Sequence, residues 1–155
     1  MLDPDHAETP AATPSECIER IQQAINSHDL DALTRCFAPD YESEFPAHLE
    51  RSFRGTEQMR ANWTGLFTGV PDIHAQLLRS AESDDVAWSE WEWTGTQRNG
   101  GKFWQRGVTV QRVVSGRVVW ARLYIEPVQK AAGGARIPEA LLNHPATAEQ
   151  PPRTS

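Results

Sequence analysis

Apolar positions recur every three to four residues in the N-terminal part of the chain and every second residue later on. Thr13-Pro14-Ser15-Glu16 reads as a helix start, with Thr13 as N-cap, proline at the first helical position and a glutamate that can reach back as a capping box. Cys17, Ile18, Ile21, Ala24 and Ile25 follow at helical spacing, which predicts a helix to about Ser27. Asp29 can cap a short second helix with Leu30, Leu33, Cys36 and Phe37 on its apolar side, and Ala38-Pro39-Asp40 ends it. Tyr41 to Phe45 alternates as a short strand, Pro46 to Arg51 reads as a loop, and Ser52 to Arg54 as a second short strand. Gly55-Thr56 opens a third helix with Met59, Trp63, Leu66 and Phe67 on one face, and Gly69 and Pro71 stop it.

After Pro71 the period becomes two. Four strands are predicted, Ile73 to Ser80, Val86 to Gln97, Phe103 to Val114 and Arg117 to Ile125, joined at Ser83-Asp84-Asp85, Arg98-Asn99-Gly100-Gly101 and Ser115-Gly116. Connections this short make an antiparallel meander. Three helices followed by such a sheet give an α+β plan, a curved sheet wrapped over helices as a cone-shaped half-barrel with a cavity between the layers. Residues 1 to 12 and 129 to 155, rich in Pro and Ala and without a long apolar period, are expected to be mostly disordered tails around a domain at 13 to 128, with Ile137 to Leu142 suggesting one helical turn.

The length of 155 residues suits one domain with a core of its own. A net charge of −6 with scattered Arg speaks against nucleic acid, whose phosphates need a clustered positive field. No apolar run approaches the ~20 residues of a membrane span, and MLDPDHAETPAATP lacks the pattern of a secretory signal. Cys17 and Cys36 both fall on apolar helix faces, so reduced thiols in a cytoplasmic protein are expected. Metal-ligand spacings, a phosphate-binding loop and a dinucleotide fingerprint are missing from the sequence, so no cofactor or metal is expected. Of the six tryptophans, four lie between Trp88 and Trp104, which marks that stretch as the wall of interest.

Asn26-Ser27-His28-Asp29-Leu30-Asp31 between the first helices, Phe53-Arg54-Gly55 before the third, Trp93-Thr94-Gly95-Thr96 in the sheet and Ser115-Gly116-Arg117-Val118-Val119 at the last turn occur in an order that resembles the nuclear transport factor 2-like superfamily. Within it the chain is most similar to the SnoaL-like polyketide cyclases, ketosteroid isomerases and limonene epoxide hydrolases, over about residues 14 to 128. The resemblance implies a homodimer and a buried cavity for a small molecule. It does not carry over a catalytic set. Ile21 stands where the isomerases have a tyrosine, Thr109 near their second oxyanion-hole acid, and Phe45, or Glu44 after a slip of one, at their catalytic aspartate. Leu123, Trp91 and Trp93 stand where the epoxide hydrolases need Asp, Arg and Asp, and Leu123 again where the cyclases use an acid.

Strand parity sorts the remaining candidates. A glycine bulge at Ser115-Gly116, pairing Val113 with Arg117, would put Gln105, Gly107, Thr109, Gln111, Ala121, Leu123 and Ile125 on one face together with Ser89, Trp91 and Trp93. The resemblance places that face toward the cavity. A plain two-residue turn would instead group Gln105 to Gln111 with Trp120 to Glu126. The opposite face carries Glu90, Glu92 and Glu126 beside Arg106, Arg112 and Arg122, among Trp88, Trp104, Trp120 and Tyr124. Ion pairs framed by aromatics fit a homodimer interface through Glu90, Glu92, Arg106, Trp120, Arg122 and Tyr124, and the competing reading makes this face an active site.

For chemistry, Glu44 at the end of the first short strand and His48 at the expected cavity mouth are candidates for an acid–base pair, since burial raises a carboxyl pKa and a nearby carboxylate raises that of His; the alternative is a solvated strand glutamate and a surface-loop histidine. Tyr41 can donate to a developing enolate oxygen. Trp63, Phe67, Trp91, Trp93 and Leu123 supply apolar walls, and Gln105, Thr109 and Gln111 are polar groups that orient and bind a ligand. Arg51 and Arg54 can bind an acidic group or pair with Glu50, Glu57 or Glu42. Two functions follow. One is a cofactor-independent isomerase, cyclase or dehydratase acting on a hydrophobic cyclic or polyketide-like substrate. The other is a non-catalytic small-ligand-binding or dimeric scaffold protein of the same fold.

Overall fold

Thr13 caps α1 (Pro14–Asn26) by accepting a hydrogen bond from the Glu16 amide at 3.2 Å. Its apolar stripe of Cys17, Ile18, Ile21, Ala24 and Ile25 is buried. Asp29 caps α2 (Leu30–Arg35) through the Ala32 amide at 2.9 Å. Strand β1 (Phe37–Glu44) follows at once, and a 3-10 turn (Leu49–Arg51) leads to the short β2 (Phe53–Arg54). The third helix α3 (Thr56–Gly69) precedes four long strands, β3 (His74–Ser83), β4 (Val86–Thr96), β5 (Lys102–Val114) and β6 (Arg117–Pro127). This is a computed structural model, and it describes residues 11–130. Of the tails predicted at 1–12 and 129–155, residues 1–10 and 131–155 lie outside the described residues, as does the turn suggested at Ile137 to Leu142.

The six strands form one sheet in the order β2-β1-β6-β5-β4-β3. All neighbours are antiparallel except β1 and β6, which run parallel, so the sheet is mixed rather than wholly antiparallel. Strand β1 starts four residues before the predicted Tyr41. Pro39 is tolerated there because the pairing with β6 is interrupted between Phe37 and Glu42, where a missing N–H costs no ladder bond. The edge strand β3 is covered by α1. The Asn26 side chain bonds both the N–H and the C=O of Ala75, at 2.7 and 2.8 Å, and Gln22 accepts from the Leu77 amide at 2.5 Å. Two side-chain amides thus stand in for part of a missing strand.

At the last hairpin Ser115 and Gly116 have φ of 51° and 74°, the signature of a two-residue turn, and Val114 pairs with Arg117. The expected glycine bulge in the turn is therefore absent. The extra residue sits two positions further on: Val113 faces Val118 but Arg112 faces Trp120, leaving Val119 unmatched. This displaced bulge yields the face grouping the sequence suggested, with Gln111 opposite Ala121 and Thr109 opposite Leu123. Gly107 lets β6 come close, since a Cβ there would lie 1.9 Å from the Tyr124 carbonyl oxygen.

Candidate functional site

Helices and sheet both contribute to a cavity of about 290 Å³ between the helices and the concave side of the sheet. Ile21 and Ile25 enter it from α1, Met59, Trp63 and Leu66 from α3, and Trp91 and Trp93 from β4. The walls are aromatic. The Trp63 and Trp93 rings are 5.5 Å apart and tilted, and Trp91 meets Trp93 edge-on at 6.4 Å. Odd positions of β1 and the residue after it also face inward, namely Tyr41, Ser43 and Phe45.

Apart from Arg51, the polar groups described in the lining are neutral, and three of them are linked to one another. Trp91 Nε1 donates to Thr109 Oγ1 at 3.0 Å, and that hydroxyl donates to Gln111 Oε1 at 3.1 Å. This relay is buried, with Trp91, Thr109 and Gln111 only 2%, 4% and 5% exposed. The amide –NH2 of Gln111 is left to bind something else. Tyr41 is held edge-on by Phe37 at 4.8 Å and Phe53 at 6.0 Å. Burial pushes its hydroxyl up to about 12, against the opposing effect of a hydrogen bond with Ser43, so it stays a neutral phenol that can donate. Trp93 Nε1 is buried and has no hydrogen-bond partner among the described residues. Among those lining the cavity no carboxylate or imidazole occurs, and the single charge is that of Arg51.

The sequence-predicted residues thus separate into two groups. Tyr41, Trp63, Trp91, Trp93, Gln105, Thr109, Gln111 and Leu123 all line the cavity. Phe67 does not. It packs behind Trp63 at 5.6 Å and against His28 at 5.3 Å, extending the core instead of the wall. Glu44 and His48 also lie outside the lining, which corrects the expectation that Glu44 faces the cavity with His48 at its mouth. Glu44 is an even-numbered residue of β1 and points to the opposite face, where it accepts from Trp120 Nε1 at 3.0 Å and Arg122 Nε at 2.8 Å. These bonds hold its carboxyl below the usual 4.5, so it is an ionised partner and not a poised acid. His48 Nε2 lies 2.7 Å from Glu126. Ser43 and Asn62 line the cavity without having been singled out, and period-two counting from Tyr41 would have found Ser43; Phe45, matched above to the isomerases' catalytic aspartate, lines it as well.

The outer face of the sheet repeats one device. Trp104 and Arg106 on β5 both donate to Glu92 of β4, at 2.9 and 2.5 Å, as Trp120 and Arg122 on β6 both donate to Glu44 of β1. In each pair the guanidinium lies 5.0 Å from the ring of the tryptophan two residues earlier. The other expected pairings change. Glu90 meets Arg79 of β3 at 3.2 Å, and Arg112 meets Asp85 at 2.7 Å. Trp88 and Tyr124 remain 54% and 42% exposed on this face.

Comparison with known proteins shows the same fold. Residues 18–121 match the family model described as SnoaL-like domain. The wild-type IdmH of Streptomyces antibioticus, a proposed polyketide cyclase, superposes with a TM-score of 0.66 at 22% identity, over 74% of this chain and 93% of its own. Its variant with loop 96–104 truncated gives 0.64 at 25% identity over the same shares. A SnoaL-like protein of Jannaschia sp. CCS1, also proposed to be a polyketide cyclase, gives 0.65 at 20% identity over 80% of this chain and 92% of its own. No curated protein matches the chain. Among the described residues no helix is long and apolar enough to cross a membrane.

Proposed function

The chain belongs to the SnoaL-like domain family, and from that premise we propose that it binds a flat, hydrophobic, oxygen-bearing molecule of cyclic or polyketide-like type in the cavity. One observation carries this reading: the cavity is walled by Trp63, Trp91 and Trp93 and offers neutral hydrogen-bonding groups at Tyr41, Gln105 and Gln111. Aromatic faces suit a planar ring system, and a few convergent polar groups fix its orientation. The volume is near the lower end for small-molecule sites, which favours a compact ligand of two or three fused rings.

Cofactor-independent isomerase, cyclase or dehydratase chemistry is the second reading, and the Tyr41 phenol favours it. A neutral donor buried among aromatics can stabilise an enolate oxygen as charge develops on it. With Glu44 and His48 on other surfaces, the proton acceptor would be water or a group of the substrate. The proposed cyclase role of IdmH supports this version.

A binding titration tests both. Intrinsic tryptophan fluorescence should be quenched saturably by a tricyclic quinone such as anthraquinone-2-methanol, and Tyr41→Phe should weaken that binding severalfold while leaving a hydrocarbon of similar shape unaffected. Linear, unsaturable quenching would remove the binding reading. Turnover surviving in Tyr41→Phe would remove the catalytic role of the phenol.

The homodimer is part of the same proposal. Exposed Trp88 and Tyr124, and the Glu–Arg pairs that include Glu92, Arg106 and Arg122 around Trp104 and Trp120, support an interface on the outer sheet face. The free, buried thiols of Cys17 and Cys36 support a reducing, cytoplasmic location.

A further inference from the structure

Arg51 and Asn62 are the only exposed residues among those described around the cavity; every other lining residue is buried or half-buried. They therefore mark its opening, and both are donors there. Asn62 Oδ1 already accepts from Gln58 Nε2 at 2.8 Å, one helical turn earlier on α3, which leaves its –NH2 for a ligand. The guanidinium of Arg51 is loosely held. The one carboxylate within 4.0 Å of it among the described residues is Glu50, whose Oε1 lies 4.0 Å from Nε, beyond hydrogen-bond reach. Arg54, three residues on, is by contrast ion-paired with Glu42.

Charge makes this arrangement informative. The chain carries a net −6, yet the rim of its apolar cavity presents a cation and an amide donor, with no carboxylate among the described lining residues. A neutral hydrocarbon ligand needs neither. Among the described residues the interior supplies only uncharged donors and acceptors, so an ionic group would find no partner among them deeper in.

Resting on the binding reading above, we propose that the ligand is an amphipathic organic anion, with its ring system between Trp63, Trp91 and Trp93 and a carboxylate or similar anionic group at the rim on Arg51 and Asn62. Arg51 is then the specificity residue. Its planar fork can hold a carboxylate with two hydrogen bonds, which a lysine would not reproduce.

Two fluorescent probes with the same aromatic skeleton separate the claims: 1-anilinonaphthalene-8-sulfonate, which is anionic, and N-phenyl-1-naphthylamine, which is neutral. Both are titrated into the full chain and into Arg51→Gln and Arg51→Lys, with anthraquinone-2-carboxylate as displacing competitor. The wild type should bind the sulfonate more tightly. Arg51→Gln should weaken the sulfonate about fivefold, the scale of a half-exposed charged hydrogen bond, and change the neutral probe less than about twofold. Arg51→Lys should recover only part of the loss. Equal effects on the two probes, or none, would overturn the proposal while leaving the cavity as a binding site. If neither probe binds the wild type, the binding reading itself fails and this inference falls with it.

Discussion

Replacing Thr109 by valine removes one hydroxyl and almost no volume, yet it cuts a relay on both sides. Trp91 Nε1 loses its acceptor at 3.0 Å, and Gln111 Oε1 loses its donor at 3.1 Å. The two losses differ in weight. Gln111 lines the cavity and can turn toward whatever fills it. Trp91 is fixed in the core with 2% of its surface exposed, so its N–H is left buried and unpaired. An orphaned buried donor costs about 1–3 kcal/mol, and the valine methyl offsets little of that in a site already facing polar neighbours. A loss of ~2 kcal/mol is expected, which for a domain of this size lowers Tm by ~7 °C. Urea unfolding followed by tryptophan fluorescence and far-UV dichroism measures it, and the m-value should not change. Thr109→Ser, which keeps the hydroxyl, should lose less than ~1 kcal/mol. If Thr109→Val unfolds within ~0.5 kcal/mol of the wild type, water in the cavity satisfies the indole and the Trp91–Thr109 bond does not stabilise the fold.

Other expectations follow from the same geometry. The folded-state pKa values of Glu44 and Glu92 both lie below the usual 4.5, the first through Trp120 and Arg122 and the second through Trp104 and Arg106. Their contribution is therefore complete above that value and is lost as pH falls through the lower folded values. Glu44→Gln should flatten this acid limb slightly, by no more than ~0.5 kcal/mol for a pair this exposed; an unchanged slope in acid-unfolding curves would count against the pair. Gly107→Ala drives a methyl into the Tyr124 backbone, which no side-chain rotation relieves, and should cost ~3 kcal/mol or more or abolish soluble folding. Near-native stability in urea would show that β5 and β6 can separate there. Arg122→Glu places a second carboxylate beside Glu44 on the outer face and should weaken self-association in sedimentation velocity. An equally tight dimer would move the interface elsewhere.

Several elements were legible because their signals are local. The Thr13 and Asp29 caps, the helical spacing of Ile18, Ile21 and Ile25, and the alternation along β4 and β5 each need only a few neighbouring residues. That alternation put Trp91, Trp93, Thr109 and Gln111 on one face, and the family resemblance placed that face toward the cavity. Strand β1 was harder. Pro39 normally ends an element, and here it falls in a gap of the parallel pairing that only the fold creates. The face of Glu44 was available in the sequence, since residues three apart on a regular strand cannot share a side with Tyr41. Its partners were not, because Trp120 and Arg122 lie more than seventy residues away. The contact between His48 and Glu126 is equally nonlocal. Phe67 shares a helix face with Trp63, and only the position of α3 over the interhelix turn sends it to His28.

The unmatched residue at Val119 has a bearing on how the chain folds. A hairpin that zips outward from Ser115-Gly116 one residue at a time would pair Arg112 with Val119 and Gln111 with Trp120. Native pairing skips a residue at that point and joins Arg112 to Trp120. Nothing in the turn itself demands the skip. It is selected by what lies beyond it, because only then do Ala121 and Ile125 reach the interior while Arg122 and Tyr124 stay out. The side that β6 turns inward is therefore set by burial far from the turn and not by the turn's own register.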